Sequence, residues 1–270
     1  VLLVITFSKL GQYGRLGNQL FQYALIKSVS IETGYELQLP KLNDRVWHGQ
    51  ACLLDHFKLS HSPLSRSPRF TYNEKNAQQF DEGVFKVQPD TDFFGFFQHK
   101  DYFSKHREIL LEEFKPSISI QNQAKDFISN LENPTSIHFR RGDYVEMNQG
   151  HPDYESLVLK YVQECVSDLP ENTDFLVFTG GSRNGNSDRV RDFDWCKDNL
   201  KERKFHFVEN NSEILDFELI KNCKNNITGW DSTFSWWASY LNNEGGKIYY
   251  NKSYQKLNLY EDMKNWIEVL

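Results

Sequence analysis

The stretch SIHFRRGDYV, Ser136 to Val145, changes character at its midpoint. Thr135 to Phe139 is short and β-prone, as a buried strand would be. Beyond it, Arg140, Arg141, Gly142 and Asp143 crowd charge and a glycine into one loop. Open α/β sheets hold their ligands outside the carboxyl ends of their strands, so this loop is the first candidate site. Arginine suits a diphosphate because its planar fork donates paired hydrogen bonds and keeps its charge. Gly142 permits a close backbone approach or a positive φ. Two readings stand: an arginine locked onto Asp143 merely closes a surface loop, or Arg140 faces phosphate with Arg141 beside it. Alternation along the strand puts His138 on the same side as Arg140, either as a packed structural histidine or as a ligand contact.

Outward from this strand the pattern is regular. Phe175 to Thr179, Phe205 to Val208, Asn226 to Thr228 and Lys247 to Tyr250 are further β-prone runs. Helical spacings at Tyr154 to Ser167, Arg191 to Asn199, Ser212 to Asn222 and Thr233 to Leu241 separate them, which predicts a parallel sheet covered on both faces. Val1 to Phe7 is another doubly covered strand, followed by a glycine-containing loop and a helix over Leu20 to Thr33, the opening of a doubly wound α/β domain. Phe93 to Phe97 reads as a strand and Tyr102 to Phe114 as a helix, whereas 43–89 yields no clear pattern. The boundary between two domains falls between residues 115 and 134, ahead of Asn133-Pro134.

Composition excludes several functions. The net charge of -6, with acids and bases well mixed, argues against a general nucleic-acid binder, which needs a basic field. Cys52, Cys165, Cys196 and Cys223 form no CxxC pair and read as reduced thiols, and no compact His/Cys/acid spacing predicts a metal site. No apolar run reaches the roughly 18 residues of a membrane span. Asn-x-Ser/Thr triplets begin at Asn210, Asn226 and Asn251, but Asn226 opens a predicted buried strand.

Three other loops could bear ligands. GQYGRLGNQ, Gly11 to Gln19, lacks both GxGxxG and a GKS/T ending, so no generic dinucleotide or triphosphate site is implied. Arg15, Asn18 and Gln19 supply polar contacts there, or the segment is a tight turn with Asn18 capping the next helix. TGGSRNGNSD, Thr179 to Asp188, is either a ligand loop beginning with Thr179 and Gly180 or a surface loop. In GWDSTFSWW, Asp231 or Ser232 can cap a helix whose first N–H groups attract anions, with Thr233 and Ser235 adding hydroxyls. Phe234, Trp236 and Trp237 read as packing residues.

GRLGNQLFQYA at Gly14 to Ala24, HFRRGDYV at His138 to Val145 and STFSWWASYLN at Ser232 to Asn242 together resemble the α-1,2-fucosyltransferases, glycosyltransferase family 11, which share motifs with protein O-fucosyltransferases. The resemblance implies a GT-B-like pair of facing Rossmann-type domains with a central cleft: an acceptor-side domain over 1–125 and a nucleotide-sugar domain over 126–270. It implies GDP-β-L-fucose as donor, no required metal or cofactor, and inverting transfer to a glycan acceptor, the 2-hydroxyl of a terminal β-galactose. Arg140 would hold the donor's β-phosphate. Arg15, Asn18 and Gln19 would lie across the cleft near diphosphate or sugar, and Ser232 and Thr233 would help seat the nucleotide. His138, Arg141, Thr179 and Gly180 complete the expected donor contacts. Asp143 and His151 are the candidates for a base, with Arg140 stabilising the leaving group.

Two departures stand out. Relatives carry an acidic FSDD-like segment where this chain reads FTGGSRNGNSD, and Ala-Asn where it has Trp230-Asp231. These leave two alternatives: a glycosyltransferase with another nucleotide sugar, or a non-catalytic nucleotide-sugar or carbohydrate binder. The expected compartment is the cytoplasm, or the Golgi lumen if an N-terminal anchor was trimmed.

Overall fold

The computed structural model describes residues 2–77, 79–147, 153–180, 186–251, 259–260 and 263–269. The chain divides into two compact units: Val1–Ser117 with Lys256–Glu261, and Ile118–Gln255 with Asp262–Leu270.

In the first unit, β1 (Val4–Thr6) is buried throughout and leads through the glycine loop to α1 (Leu16–Thr33). Gly34 ends that helix in the left-handed region, its N–H bonded to Ser30 O. The helix begins one turn earlier than the periodicity predicts. Asn18 therefore lies inside the first turn and does not cap it; Arg15 holds the N-cap position. The strands that follow are β2 (Glu36–Leu39), a hairpin of β3 (Val46–Trp47) and β4 (Gln50–Ala51), β5 (Ser62–Pro63), β6 (Phe70–Asn73) and β7 (Thr91–Phe94). The main sheet is parallel, in the order β5-β2-β1-β7-β6. The helix predicted over Tyr102 to Phe114 is broken. Two 3-10 turns precede α2 (Arg107–Glu113), because Phe103 takes an extended φ of -141° between them.

The second unit opens with α3 (Ile118–Ile128), a helix in the stretch expected to hold the domain boundary. Ala124 is its one buried residue and Ile118 is 71% exposed; Ile120, Ala124 and Ile128 recur at helical spacing, and the helix packs on α7. The predicted division at 125/126 falls inside this helix. Then come β8 (Thr135–Arg140), α4 (Asp143–Met147), α5 (Tyr154–Ser167), β9 (Asp174–Gly180), α6 (Asn186–Asn199), β10 (Lys204–Phe207), α7 (Glu213–Asn222), β11 (Asn225–Ile227), α8 (Thr233–Tyr240), β12 (Ile248–Tyr250) and β13 (Trp266–Glu268). All six strands are parallel, in the order β10-β9-β8-β11-β12-β13. Renumbered within the unit this is 3-2-1-4-5-6, the doubly wound order of dinucleotide-binding sheets. Ile137, Phe139, Val158, Val162, Phe175, Val177 and Cys196 belong to one buried core cluster of this unit.

Asn226 ties the centre of the sheet together. Its amide donates to Ser136 Oγ and Ile220 O, both at 2.7 Å, and accepts from Asn242 Nδ2 at 2.8 Å. Asn226→Ala removes these bonds and strands their buried partners, at a cost of about 2 kcal/mol or more. Chemical denaturation followed by circular dichroism should show a lowered midpoint.

Candidate active site

The strand order reverses between β8 and β11, the position at which open parallel sheets hold ligands beyond the carboxyl ends of their strands. The RRGD turn leaves β8 and the segment from Gly229 to Ser232 leaves β11. They are linked by the Tyr144 hydroxyl, which donates to Asp231 O at 3.4 Å.

The two arginines of the motif part company. Arg141 follows Ile137 and Phe139 into the interior and is only 4% exposed. Its Nε donates to Asp192 Oδ1 at 3.2 Å, its Nη1 meets Glu155 at 2.6 Å, and the Trp195 ring lies 3.9 Å from its guanidinium carbon. Arg141 is thus committed to protein partners in a buried ion pair, where a missing partner is costly. Arg140 stays at the strand end. Its Nη1 donates to Gly180 O at 3.2 Å, its Nη2 pairs with Asp143 Oδ1 at 2.9 Å, and Tyr144 lies beneath it at 4.3 Å. The arginine–aspartate pair foreseen as a loop closure is therefore the Arg140–Asp143 pair. The same contacts fix the plane of the guanidinium while its side chain keeps 16% exposure.

Gly142 adopts a φ of 61°, which favours glycine. Its N–H donates to Asp192 Oδ2 at 2.9 Å, so one carboxylate with no exposed surface holds both Gly142 and Arg141. Asp192 is a residue the sequence reading missed. It precedes Cys196 by four on α6 and so shares that helix's buried face; a charge at a core-facing position was the available signal. Tyr154, at the start of α5, donates its hydroxyl to Arg140 O at 2.5 Å, and Thr179 Oγ1 donates to Phe139 O at 3.3 Å. Thr179 is therefore a buried support for the strand end, whereas Gly180 offers its carbonyl to Arg140.

On the β11 side, Ser232 caps α8, its hydroxyl accepting from Ser235 N at 3.4 Å. Asp231 takes a left-handed φ of 53°, a conformation aspartate tolerates. Ser235 Oγ accepts from Gly229 N at 2.9 Å, which folds the loop back on the helix start. Thr233 is half-buried in the first turn, where helix N–H groups favour an anion. Trp236 and Trp237 are buried, as expected of packing residues, while Phe234 lies 5.7 Å from the His138 ring.

His138 is buried, and its Nδ1 has no hydrogen-bond partner among the described residues. Burial, reinforced by the Arg140 charge, pushes its pKa down from 6.5 to about 3, so the ring is neutral near pH 7. Gly229 is required beside it: a Cβ there would meet His138 Nδ1 at 2.3 Å and His138 O at 2.8 Å.

In the first unit, Gln19 is 2% exposed and donates to Gly14 O at 2.9 Å, while its Oε1 accepts from Cys52 Sγ at 3.5 Å. It builds the loop from inside. Asn18 accepts from Gln98 Nε2 at 2.6 Å, and Arg15 is half-buried at the helix cap. His151 lies outside the described residues, as does the part of the Thr179 to Asp188 loop at 181–185. Among the described residues no group of three His, Cys, Asp or Glu could hold a metal ion, and no helix is long and apolar enough to cross a membrane.

Two outcomes follow for this constellation. Asp192→Ala should cost about 3 kcal/mol or more of stability, because it leaves Arg141 buried against one acid instead of two and orphans the Gly142 N–H; thermal unfolding checks it. His138 ring resonances should not titrate between pH 7 and about 4.5, since the neutral form is held to about 3. The sign for stability is a loss as pH falls below about 6.5, where the unfolded chain takes up the proton first.

A family model described as "Glycosyl transferase family 11" matches residues 9–268. An Escherichia coli protein named alpha-1,2-colitosyltransferase is 28% identical over 260 residues, covering 85% of this chain and 86% of its own. A putative galactoside 2-alpha-L-fucosyltransferase of Caenorhabditis elegans is 26% identical over 263 residues, 90% of this chain and 70% of its own. Among solved structures, the fucosyltransferase NodZ from Bradyrhizobium superposes with a TM-score of 0.57 at 11% identity, over 88% of this chain and 92% of that one. Apo POFUT1 gives 0.57 at 12% identity, over 89% and 94%. These structural matches bear on the fold, a GT-B-like pair of Rossmann-type domains. With its three motifs and its reversed strand order in place, the chain belongs to glycosyl transferase family 11.

Proposed function

We propose that this enzyme transfers L-fucose from GDP-β-L-fucose, with inversion, to the 2-hydroxyl of a terminal β-galactose on a glycan. The observation that carries the reading is Arg140: a guanidinium fixed on Gly180 O and Asp143, still partly exposed, at the switch point of a doubly wound sheet. It is suited to receive the diphosphate of a nucleotide sugar.

In this reading the acceptor oxygen forms its bond to the anomeric carbon from the face opposite GDP. The anomeric bond to phosphate oxygen breaks, and as the new bond forms the hydroxyl proton passes to a phosphate oxygen of the departing GDP or to water. Negative charge grows on the departing diphosphate, where Arg140 and the first-turn N–H groups of α8 lower the barrier by pre-aligned electrostatics. Asp143 orients Arg140, to which it is paired. The neutral Nδ1 of His138 is suited to accept a hydrogen bond from a nucleotide. Arg141 and Thr179 support the strand end from within.

A second reading has one specific observation behind it, the likeness to the colitosyltransferase. Colitose is fucose without its 3-hydroxyl, so the same phosphate site would serve both donors.

A panel of labelled nucleotide sugars with galactose-terminated acceptors and excess EDTA tests the proposal. Selective use of GDP-fucose is the expected result; preference for the colitose donor or for no GDP-linked 6-deoxy sugar overturns it. Arg140→Lys keeps the charge but loses the planar fork, and should lower kcat by about a hundredfold.

A further inference from the structure

The sheet of the first unit has its own reversal, between β1 and β7. Four aromatic rings gather beyond the strand ends there. Tyr13, in the loop after β1, stacks on Phe96 with centroids 4.5 Å apart and planes 21° apart. Phe94, the last residue of β7, lies 5.4 Å from Tyr13, and Trp47 of the β3–β4 hairpin lies 5.3 Å from it on edge. Phe94 is 41% exposed and the other three are half-buried.

The cluster is clamped from below. Gln22 is fully buried, and its Nε2 donates to both Tyr13 O at 3.1 Å and Gly95 O at 3.0 Å, binding the two ring-bearing loops to one amide. The Glu74 carboxylate accepts from Phe96 N at 2.8 Å and Phe97 N at 2.7 Å. Gly95, at φ 152°, has no room for a Cβ, which would meet Glu74 Cβ at 2.4 Å. The hairpin that carries Trp47 turns through His48 and Gly49, both at positive φ, as a tight two-residue turn requires. A buried amide and a half-buried carboxylate thus hold one exposed and three half-buried rings in fixed positions, which lowers the entropy cost of binding a ligand.

We propose that Tyr13, Trp47, Phe94 and Phe96 form the stacking platform for a pyranose of the acceptor glycan. The inference rests on the acceptor reading above. Galactose is amphipathic: its axial 4-hydroxyl leaves C–H bonds at C3, C4 and C5 on one face, which packs on aromatic surface, while its hydroxyls point to the rim. The amides of Asn18 and Gln98, paired at 2.6 Å and adjoining the Tyr13 loop, supply polar groups of the kind that fix orientation in such sites. The position beyond a β1/β7 reversal is where a parallel sheet accepts ligands.

Phe94→Ala and Trp47→Ala, both at accessible positions, test it. Each should raise the acceptor KM about five- to tenfold, the scale of one aromatic contact, with kcat at saturating acceptor within about twofold of the parent. Trp47→Phe should restore most of the affinity. Saturation-transfer NMR with galactosides reads the platform without turnover, so a wrong donor assignment leaves this test intact. Unchanged KM and unchanged saturation transfer in both alanine variants overturn the proposal. So does a parent dimer, seen by sedimentation velocity, that Phe94→Ala disperses while galactoside contacts persist.

Discussion

Asp192 has no exposed surface, yet its two carboxylate oxygens decide the shape of the turn that carries both arginines. One receives the Arg141 guanidinium and the other the Gly142 N–H, so the turn after β8 is pinned from the side facing α6. Pinned there, the chain keeps Gly142 in its left-handed conformation and starts α4 at Asp143, where that carboxylate reaches Arg140. Two adjacent arginines thereby acquire opposite duties. The inner one surrenders its charge to the protein, and the outer one retains a direction in which to use it.

Strand alternation along β8 was readable in the sequence, though not which arginine the protein would take for itself. Ile137, Phe139 and Arg141 lie on one side of β8, and His138 belongs to the other, packed on Phe234. The β-prone runs of the second half, the helix over Tyr154 to Ser167 and the Ser232 cap were legible for the same reason: each rests on local periodicity or local hydrogen bonding. What resisted reading depends on partners far along the chain. The division of labour between Arg140 and Arg141 needs Asp192 and Gly180, some 40 to 50 residues away. Helix α3 carries Ile120, Ala124 and Ile128 at helical spacing, a stripe the sequence reading passed over, and it packs on α7, about 90 residues further along. Gln19, an apparent ligand contact in a polar loop, proved to be a wall of that loop because its amide reaches back to Gly14 O.

The region 43–89 was opaque because its structure is built from strands of two to four residues, 3-10 turns and ion pairs instead of long periodic elements. Arg66 and Arg69, which reach just past the region to Asp90, illustrate the point. That aspartate takes a positive φ and gathers both arginines around one buried carboxylate, an arrangement with no signature in composition.

Asn226 has a consequence outside the folded state. Its triplet Asn226-Ile227-Thr228 satisfies the sequence requirement for N-linked glycan attachment, and the folded protein hides its amide in the middle of β11. In a secretory compartment the nascent chain would present that triplet before the sheet closes over it. A glycan attached then could not be accommodated between β8 and α7, so modification and native folding exclude each other at this residue. Production in a host that lacks the glycosylation machinery avoids that kinetic competition altogether.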